Sequence, residues 1–458
     1  MAQAFFGGVH PNDMKAATNE KAIEQLAAPA EVVIPMSMHI GAPCKPVVSV
    51  GDKVTVGQLI GEPGGFVSAP IHASVSGTVK AVEPRPFSMG GTMMSVVIEN
   101  DKQNTVCPDI HPVADPDSLT PEQLVEIVKN AGIVGQGGAT FPTHVKISSG
   151  LGKVDYVLIN AAECEPYITG DHRTMLERPE QVIKGATLLA KCFGVDKVYI
   201  GIEANKQNAA DVLNQTIAEL KAPVVVEVLH TRYPQGAEKQ LCQAISGRQV
   251  PSGKLPADAG CCIFNLNTTC SIYKAVYTGM PVVSKIVTVS GSGVIEPKNI
   301  ECPIGTPVSC LLDACGGVKD GTYKLIAGGP MMGMAQYTAD IPVAKGTGAI
   351  LAFCEDEEKT VEHPQCIRCG KCVAACPVHL EPLFMYQYAE KGMVDELNEA
   401  HIMDCMECGA CAYACPARMH LTQMFKTGKQ LVKNKMAADK AAAEAKKAAE
   451  EKKEAVNK

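Results

Sequence analysis

The sequence has no run of about 18 or more apolar residues, the length at which a bilayer-spanning helix becomes possible. Its first residues, Met1 to Lys21, also lack the positively charged stretch and following apolar stretch of a secretory signal. We therefore expect that the protein is neither exported nor membrane-spanning. Docking on a membrane protein stays compatible with the sequence.

A surplus of positive charge is also missing. The sequence has 42 Lys and Arg against 49 Asp and Glu, so its formal net charge is −7 at pH 7. Proteins that follow a phosphate backbone use a broad basic surface for it. Nucleic acid is therefore not expected as a partner.

Length and cysteine content narrow the class of protein. The 458 residues are 46% hydrophobic and 20% charged, which suffices for a sizeable core. At roughly 150 residues per domain the length suggests about three domains. Disulfide scaffolds are typically short secreted chains, so the 20 cysteines favour thiolates that bind metal. Twelve of them lie outside the two C-terminal clusters. Scattered cysteines of this kind are usually small buried hydrophobic residues.

Residues 1–30 are expected to form an N-terminal arm, and residues 31–105 a small all-β module. Short strand-like runs cut by Gly and Pro, such as VVIPM, GQLIGEP and MMSVVIEN, indicate the module. The run Val50-Gly51-Asp52-Lys53-Val54 and the glycine turns after it resemble the barrel-sandwich fold of biotinyl and lipoyl carriers. A carrier holds its cofactor on a lysine at the hairpin tip, and the corresponding GEPGGFVSAP has none. We interpret the module as structural.

Residues 118–280 alternate between strand and helix patterns. A helix is predicted to begin at Ser118 or Thr120, with Pro121 in its first turn. Strands are predicted from Val154 to Asn160, from Lys197 to Glu203 and from Pro223 to Leu229, with helical patterns after each of the first two. This alternation is typical of βαβ units and a parallel sheet.

The remaining regions complete a multidomain α/β and α+β chain. Residues 281–354 return to strand signals with many glycines, which predicts a second β-rich domain. Residues 360–425 contain the cysteine clusters. Residues 426–458 are rich in Ala, Lys and Glu and end without an apolar stripe, so a helical or disordered tail is expected.

The two cysteine clusters share one spacing. Each is the C-x2-C-x2-C-x3-C-P run of a two-cluster bacterial ferredoxin, in which the fourth cysteine binds the other cluster. Zinc typically uses pairs of C-x2-C, so zinc sites and disulfides are the weaker alternatives. The predicted ligands of one [4Fe-4S] cluster are Cys366, Cys369, Cys372 and Cys415, and those of the other are Cys405, Cys408, Cys411 and Cys376.

Four polar or glycine-rich segments could form a nucleotide site. Glycines let backbone N–H groups approach a phosphate, and the first predicted parallel strand delivers its polar end where open α/β sheets bind ligands. Each segment alone is more often an ordinary loop. The segments are GQGGATFP from Gly135, with Lys146 beyond it; NAAECEPY from Asn160; YPQGAE from Tyr233; and NLNT from Asn265.

Together these segments resemble the flavin- and NADH-binding subunit of respiratory complex I. With the opening Phe6-Gly7-Gly8-Val9-His10-Pro11, the carrier-like module and the ferredoxin-type clusters, the order of parts resembles the RnfC family of Rnf electron-transport complexes. The resemblance implies FMN, two [4Fe-4S] clusters and NAD(H) as substrate. It also implies that residues 281–354 form a β-grasp-like, soluble-ligand-binding domain; their Gly328 to Met332 run is interpretable as a simple turn.

The resemblance assigns roles to individual residues. Three neighbouring positions differ from complex I. Thr140 and Cys164 stand where complex I has glycines, and Ala237 stands where it has an acidic residue. The residues implied for FMN are Gly135, Gly137, Gly138, Lys146, Asn160, Glu163 and Asn265, with Thr268 nearby, and those implied for the nicotinamide nucleotide are Glu165, Tyr233, Gly236 and Glu238.

The function implied by the resemblance is hydride exchange between NAD(H) and FMN and one-electron transfer through the clusters. No catalytic acid, base or nucleophile is required, since the cofactor carries the chemistry. Members of the RnfC family are peripheral on the cytoplasmic side of the membrane and meet membrane and iron–sulfur partners. Two alternatives stay open: a related cobalamin reductase, and an electron-relay adaptor whose α/β domain has lost its ligands.

Overall fold

The computed structural model describes residues 5–355 and 361–456, with side chains through residue 446. The chain divides into two compact units. Of the described residues, the first unit contains 10–355, and the second contains Phe5–Val9 and 361–456. Within the described residues, no helix is both long and apolar enough to cross a membrane.

The first unit opens with one short strand and then the β module. Val32, Ile34, Val96, Val97 and Ile98 are fully buried, so neighbouring positions of the eighth strand, which point to opposite faces, are both covered. The module has two antiparallel sheets, of order β2-β8-β7-β4 and β3-β5-β6. The strands are β1 (Ile23–Gln25), β2 (Glu31–Pro35), β3 (Lys45–Pro46), β4 (Lys53–Val54), β5 (Leu59–Glu62), β6 (Ile71–His72), β7 (Gly77–Pro86) and β8 (Thr92–Asn100).

The α/β region follows with alternating helices and strands. Its first helix begins after Thr120, which caps the helix by exchanging hydrogen bonds with Gln123, in agreement with the predicted start. Short 3-10 turns lie at Pro116–Ser118, Ala204–Lys206 and Pro256–Ala259. The elements are α1 (Pro121–Asn130), α2 (Thr143–Gly150), β9 (Tyr156–Ala161), α3 (Gly170–Glu177), α4 (Pro179–Phe193), β10 (Val198–Glu203), α5 (Gln207–Leu220), β11 (Val224–Leu229), α6 (Glu238–Ser246), β12 (Cys261–Asn265) and α7 (Leu266–Thr278).

The parallel sheet contains the topological switch point that positions the candidate site. Its order is β11-β10-β9-β12, so the chain moves outward from β9 in one direction and then returns to the other side of β9. Asn160 on β9 and Asn265 on β12 are register partners at the carboxyl ends of these strands. Open α/β sheets bind ligands at such a crevice.

The second β domain contains a six-stranded mixed sheet and one short helix. Its order is β1-β14-β13-β17-β15-β16, so Ile23–Gln25 of the N-terminal arm forms its edge, parallel to β14. The predicted arm is therefore partly a strand of this domain. The elements are β13 (Ser284–Ser290), β14 (Lys298–Pro303), α8 (Val308–Ala314), β15 (Thr322–Ala327), β16 (Met334–Gln336) and β17 (Ala349–Cys354).

The second unit is helical. Phe5–Val9 pack on it: the main-chain N–H of Gly8 donates to Ala375 O at 2.9 Å, and the Phe6 ring stacks on His379. Its last helix is continuous through the predicted tail and is exposed from residue 433 to 446. A 3-10 turn lies at Ile402–Asp404, and the helices are α9 (Lys371–Ala375), α10 (Pro382–Glu390), α11 (Val394–Glu399), α12 (Ala410–Ala414) and α13 (Leu421–Val456).

Candidate flavin and iron–sulfur sites

The glycine-rich segment forms a closed loop between α1 and α2. The main-chain N–H of Gly135 donates to Phe141 O at 2.9 Å, which draws the two ends of the loop together. Between them, Gly137 and Gly138 are exposed. A Cβ on Gly137 would lie 2.4 Å from Asn265 Nδ2, whereas a Cβ on Gly138 would have no neighbour within 4 Å. Gly137 is thus needed for packing, and Gly138 leaves its backbone open to a ligand.

The start of α7 holds this loop. Thr268 Oγ1 accepts from the main-chain N–H of Gln136 at 2.9 Å and donates to Val134 O at 3.2 Å. Asn265 caps α7 through its Oδ1 and donates from Nδ2 to Asp171 at 3.1 Å. Both residues fix the backbone around the predicted flavin position.

Lys146, predicted for the FMN phosphate, and Glu238, predicted for the nicotinamide nucleotide, are paired with each other. The Lys146 ammonium donates to Glu238 Oε1 at 2.5 Å and to Ile263 O at 2.9 Å. Both side chains are partly exposed, so the pair is accessible and its attraction is screened by water. A bound phosphate would compete with Glu238 for Lys146.

Cys164 joins two of the predicted segments. Its sulfur accepts from the main-chain N–H of Gly236 at 3.3 Å, and Asn160 Nδ2 donates to Gly236 O at 2.7 Å. Burial raises the pKa of Cys164 to about 12, so the group is a neutral thiol at neutral pH. The sequence offered no role for this cysteine, and the structure shows that it attaches Gly236 to the loop after β9.

Glu163 faces the start of α3. Its carboxylate accepts from the main-chain N–H of Asp171 at 2.6 Å and of His172 at 3.3 Å. Burial raises its pKa to about 7, an effect that the nearby Lys15 opposes. The bonds of Glu163 therefore orient α3 and the loop, in addition to any contact with a cofactor.

Glu165 is held by the second β domain. It accepts from the main-chain N–H groups of Met331 and Met332 at 3.1 and 3.0 Å, and from the Tyr233 hydroxyl at 3.5 Å. Burial raises the pKa of Glu165 to about 7. A Cβ on Gly329 would lie 2.3 Å from Glu165 Oε2, so this glycine admits the carboxylate. The Gly328 to Met332 run thus completes the site.

Besides Lys206, whose Nζ donates to Ala162 O at 2.7 Å, three buried lysines that sequence reasoning missed donate to main-chain carbonyls around these loops. Lys285 Nζ contacts Gln136 O at 3.0 Å, and Lys345 Nζ contacts Gly132 O and Pro70 O, each at 2.7 Å. Burial lowers the pKa of Lys285 to about 8 and that of Lys345 to about 7. The third is Lys15, in the N-terminal arm. A lysine inside an apolar strand run, as at Lys285, is the signal that could have identified such residues.

The eight clustered cysteines line two cavities in the second unit. Each cavity takes three cysteines from one run and the last from the other, as the spacing predicts. In the part of the chain that the structure describes, no three His, Cys, Asp or Glu side chains are placed for a single metal ion. One cavity is lined by Cys376, Cys405, Cys408 and Cys411, and the other by Cys366, Cys369, Cys372 and Cys415.

The two cysteine runs fold alike. Arg368 and Glu407 each have a left-handed backbone, with φ of 55° and 57°. Each therefore turns its main-chain N–H toward the first cysteine of its run, Cys366 or Cys405, at 3.4 Å from the sulfur. Four thiols around a cavity, with N–H donors at the sulfurs, suit an iron–sulfur cube.

Family models match the chain in four segments. Residues 3–103 match the RnfC barrel sandwich hybrid domain, and residues 128–274 match the Nuo51 FMN-binding domain. Residues 286–335 match the SLBB domain, and residues 359–416 match the 4Fe-4S dicluster domain. The predicted FMN and [4Fe-4S] cofactors are confirmed by these matches.

Curated relatives extend over most of the chain. The RnfC-type component of the Na⁺-translocating ferredoxin:NAD⁺ oxidoreductase complex of Acetobacterium woodii is 47% identical, over 87% of this chain and 90% of the relative. Its counterpart in the proton-translocating complex of Clostridium ljungdahlii is 42% identical, over 88% of each chain. The chain belongs to the RnfC family. A further member, from Rhodobacter capsulatus, is 40% identical over 92% of this chain and 82% of its own length.

Membership in the RnfC family confirms the predicted resemblance and decides against the cobalamin reductase. The family's FMN-binding segment, residues 128–274, contains every residue predicted here for FMN or the nucleotide. The loop that holds Glu165 comes from the SLBB segment instead. Residues of both matched segments thus meet at Glu165 in this RnfC-family protein.

Proposed function

We propose that the protein is the peripheral NADH-side subunit of a ferredoxin:NAD⁺ oxidoreductase complex, placed on the cytoplasmic side of the membrane beside membrane and iron–sulfur subunits. Its substrate is NAD(H). The proposal is carried by one observation: the glycine loop, the end of β9 and the start of α7 converge at the switch point of the parallel sheet. The same chain carries two cavities with four cysteines each.

FMN, when bound, exchanges a hydride with nicotinamide and passes electrons one at a time. The residues assigned to it supply binding and orientation. Gly135, Gly137 and Gly138 are assigned to FMN through their main chain, and Lys146 supplies a positive charge for its phosphate. Thr268 and Asn265 keep the loop in place.

The nicotinamide nucleotide is assigned to the other end of the site. Glu165 and Glu238 offer carboxylates that can accept from ribose hydroxyls. Tyr233 is 2% exposed and shapes the site mainly by packing and by its hydrogen bond to Glu165. Gly236 is fixed by Asn160 and Cys164.

The two cysteine-lined cavities are assigned to the two [4Fe-4S] clusters, with the ligand sets given above. Their surroundings differ. Cys366 and Cys369 are exposed, whereas Cys408 and Cys411 are buried. Burial and hydrogen bonding to sulfur tune the potential of such clusters, so the two are expected to differ in potential.

A second candidate is an electron-relay adaptor without nucleotide. The ion pair between Lys146 and Glu238 favours it, because each side chain already has a partner. In the adaptor, the clusters would accept electrons only from other proteins.

The test is anaerobic analysis of the purified, reconstituted protein for iron and flavin, followed by NADH addition. The proposed function predicts about eight irons and one FMN per chain, cluster bleaching on addition of NADH, and NADH-dependent ferricyanide reduction. The adaptor predicts the same iron content with clusters that stay oxidised under NADH. Full iron without retained flavin and without ferricyanide reduction would rule out the proposed function.

A further inference from the structure

The N-terminal arm runs along the loop that follows β9. The main-chain N–H of Tyr167 donates to Asp13 O at 2.8 Å, and the hydroxyls of Thr18 and Thr169 are 2.7 Å apart. Between these contacts lies Lys15, which is 4% exposed. The arm therefore buries a charged residue directly behind the loop that carries Glu163 and Glu165.

The Lys15 ammonium uses all of its donors on this loop. Nζ donates to Glu163 O and Glu165 O, both at 2.9 Å, and to Ile168 O. An ammonium has three N–H donors, and three carbonyls accept them. A fourth contact is electrostatic: Glu163 Oε2 lies 3.9 Å from Nζ.

The loop needs such a support, because part of its backbone is unfavourable. Glu163 and Tyr167 have left-handed φ angles of 48° and 68°, a conformation that is unfavourable for a residue with a Cβ. Such conformations persist only where the surroundings over-determine them. The carbonyls of residues 163, 165 and 168 converge on one amine, and this convergence specifies the bend.

Three side chains depend on that bend. Glu163 reaches α3, Cys164 reaches Gly236, and Glu165 reaches the N–H groups of Met331 and Met332. A change of backbone direction at the loop would move all three together.

We propose that Lys15 is a positioning residue of the flavin and nucleotide site, which sets the conformation of residues 163–168 and thereby the positions of the Glu163 and Glu165 side chains. The proposal rests on the function proposed above and adds to it a residue that lies outside the segment matched to the FMN-binding domain. Lys15 acts through the loop and is not assigned a contact with either cofactor or substrate.

The charge of Lys15 also affects the pKa values of these two carboxyl groups. Glu163 faces Lys15, Asp171 and Lys206, and Lys15 is the strongest influence that lowers its pKa. Glu165 receives the N–H groups of Met331 and Met332 and the Tyr233 hydroxyl, and the Lys15 charge also lowers its pKa. Loss of the Lys15 charge would therefore raise both pKa values further above their position near 7.

The test compares the full-length variants Lys15→Met and Lys15→Arg with Lys21→Met as the control. Lys21 lies in the same arm, is exposed, and donates to Pro297 O away from the loop. Two properties are measured. The first is the Kd for FMN, from the quenching of flavin fluorescence when FMN is added to protein that has its clusters but no flavin. The second is the pH dependence of the KM for NADH.

Lys15→Met is expected to weaken FMN binding on the order of tenfold, since it removes three charge-assisted hydrogen bonds from the loop. The KM for NADH rises as the pH falls through the pKa of Glu165, and this rise shifts to higher pH in Lys15→Met. Lys15→Arg keeps the charge and hence the pH midpoint, but its planar guanidinium fits three converging carbonyls less well, so FMN binding weakens several-fold. Lys21→Met behaves as wild type.

A Lys15→Met protein with wild-type FMN affinity and a wild-type pH midpoint overturns the proposal. If Lys15→Met does not fold, Lys15→Arg decides: an unchanged Kd for FMN overturns the proposal, and a weakened Kd with an unchanged pH midpoint supports it. Failure of the proposed function is recognised separately, because then the wild-type protein itself retains no FMN and is not reduced by NADH.

Discussion

The thiol of Cys164 and the main-chain N–H of Gly236 are joined by a hydrogen bond of 3.3 Å between two loops of the candidate nucleotide site. Cys164→Ala would leave that N–H without its acceptor, at a cost of about 1 kcal/mol or more where water cannot replace it. We expect a several-fold increase in the KM for NADH, measured by ferricyanide reduction, and a smaller increase for Cys164→Ser, which keeps an acceptor. Cys192→Ala is the control, since this buried thiol lies on α4 away from the site; equal KM increases in both alanine variants would contradict the assignment.

Gly137 and Gly138 are neighbours with different surroundings, and alanine distinguishes their roles. In Gly137→Ala the new Cβ meets Asn265, so we expect a loss of roughly 1–3 kcal/mol in stability together with weaker FMN binding. In Gly138→Ala nothing in the chain is displaced, so the thermal midpoint of the apoprotein should stay unchanged while FMN binds on the order of tenfold more weakly. Calorimetry and flavin titration measure the two effects. Unchanged FMN binding in Gly138→Ala would remove that glycine from the site.

The crossed ligand sets predict which pairs of cysteines share a cluster. Cys366→Ala combined with Cys415→Ala removes two ligands of one cluster, so about half of the iron should be retained. Cys366→Ala combined with Cys376→Ala damages both clusters, so nearly all iron should be lost. Iron analysis and electron paramagnetic resonance of the reduced protein measure the difference, with Cys107→Ala as a control that keeps full iron. The reverse result would show that each run binds its own cluster.

Glu165 should make the protein less stable as the pH rises. Burial raises its folded-state pKa from 4.5 to about 7, so between these values the folded protein holds more protons than the unfolded one. Stability contributed by the protonated group is therefore present below pH 4.5 and is lost as the pH rises to about 7. Glu165→Gln removes this titration, so its thermal midpoint should fall less between pH 4.5 and pH 8 than that of the wild type. The amide has one acceptor for the two N–H groups of Met331 and Met332, so the variant should also have a higher KM for NADH.

Glu219→Gln is the control for this pH dependence, because Glu219 is exposed on α5. Its thermal midpoint should follow that of the wild type at every pH. Glu163 contributes in the same direction as Glu165, so Glu165→Gln flattens the pH dependence without removing it. A thermal midpoint that depends on pH as strongly in Glu165→Gln as in the wild type would contradict the predicted titration of Glu165.

The sequence identified those parts of the site whose chemistry is local. Cysteine spacing predicted two sets of four, and the structure places the same sets around two cavities. The polar end of the first parallel strand and the segment from Asn265 were predicted to share a site, and Asn160 and Asn265 are register partners. Both patterns are readable because they depend on neighbouring residues or on strand ends.

Contacts between residues that lie far apart in the sequence left no comparable sequence pattern. Lys15 contacts carbonyls 148 to 153 residues away, and its neighbours in the sequence are those of an ordinary polar segment. The same holds for Met331 and Met332, whose contribution is a main-chain N–H that any residue possesses. The arm was predicted as a separate segment because a three-residue strand such as Ile23–Gln25 is too short for periodicity to reveal.

The division of the opening residues between the two units decides how the protein can be handled. Gly7 lies against the backbone of Cys376, where a Cβ would come within 2.6 Å of the carbonyl oxygen, and eight residues later Lys15 supports the loop after β9. Deletion of residues 5–15 would therefore remove contacts from the cluster unit and from the flavin loop at once. The exposed stretch of α13 at residues 433–446 is the better position for a label or for attachment to a surface.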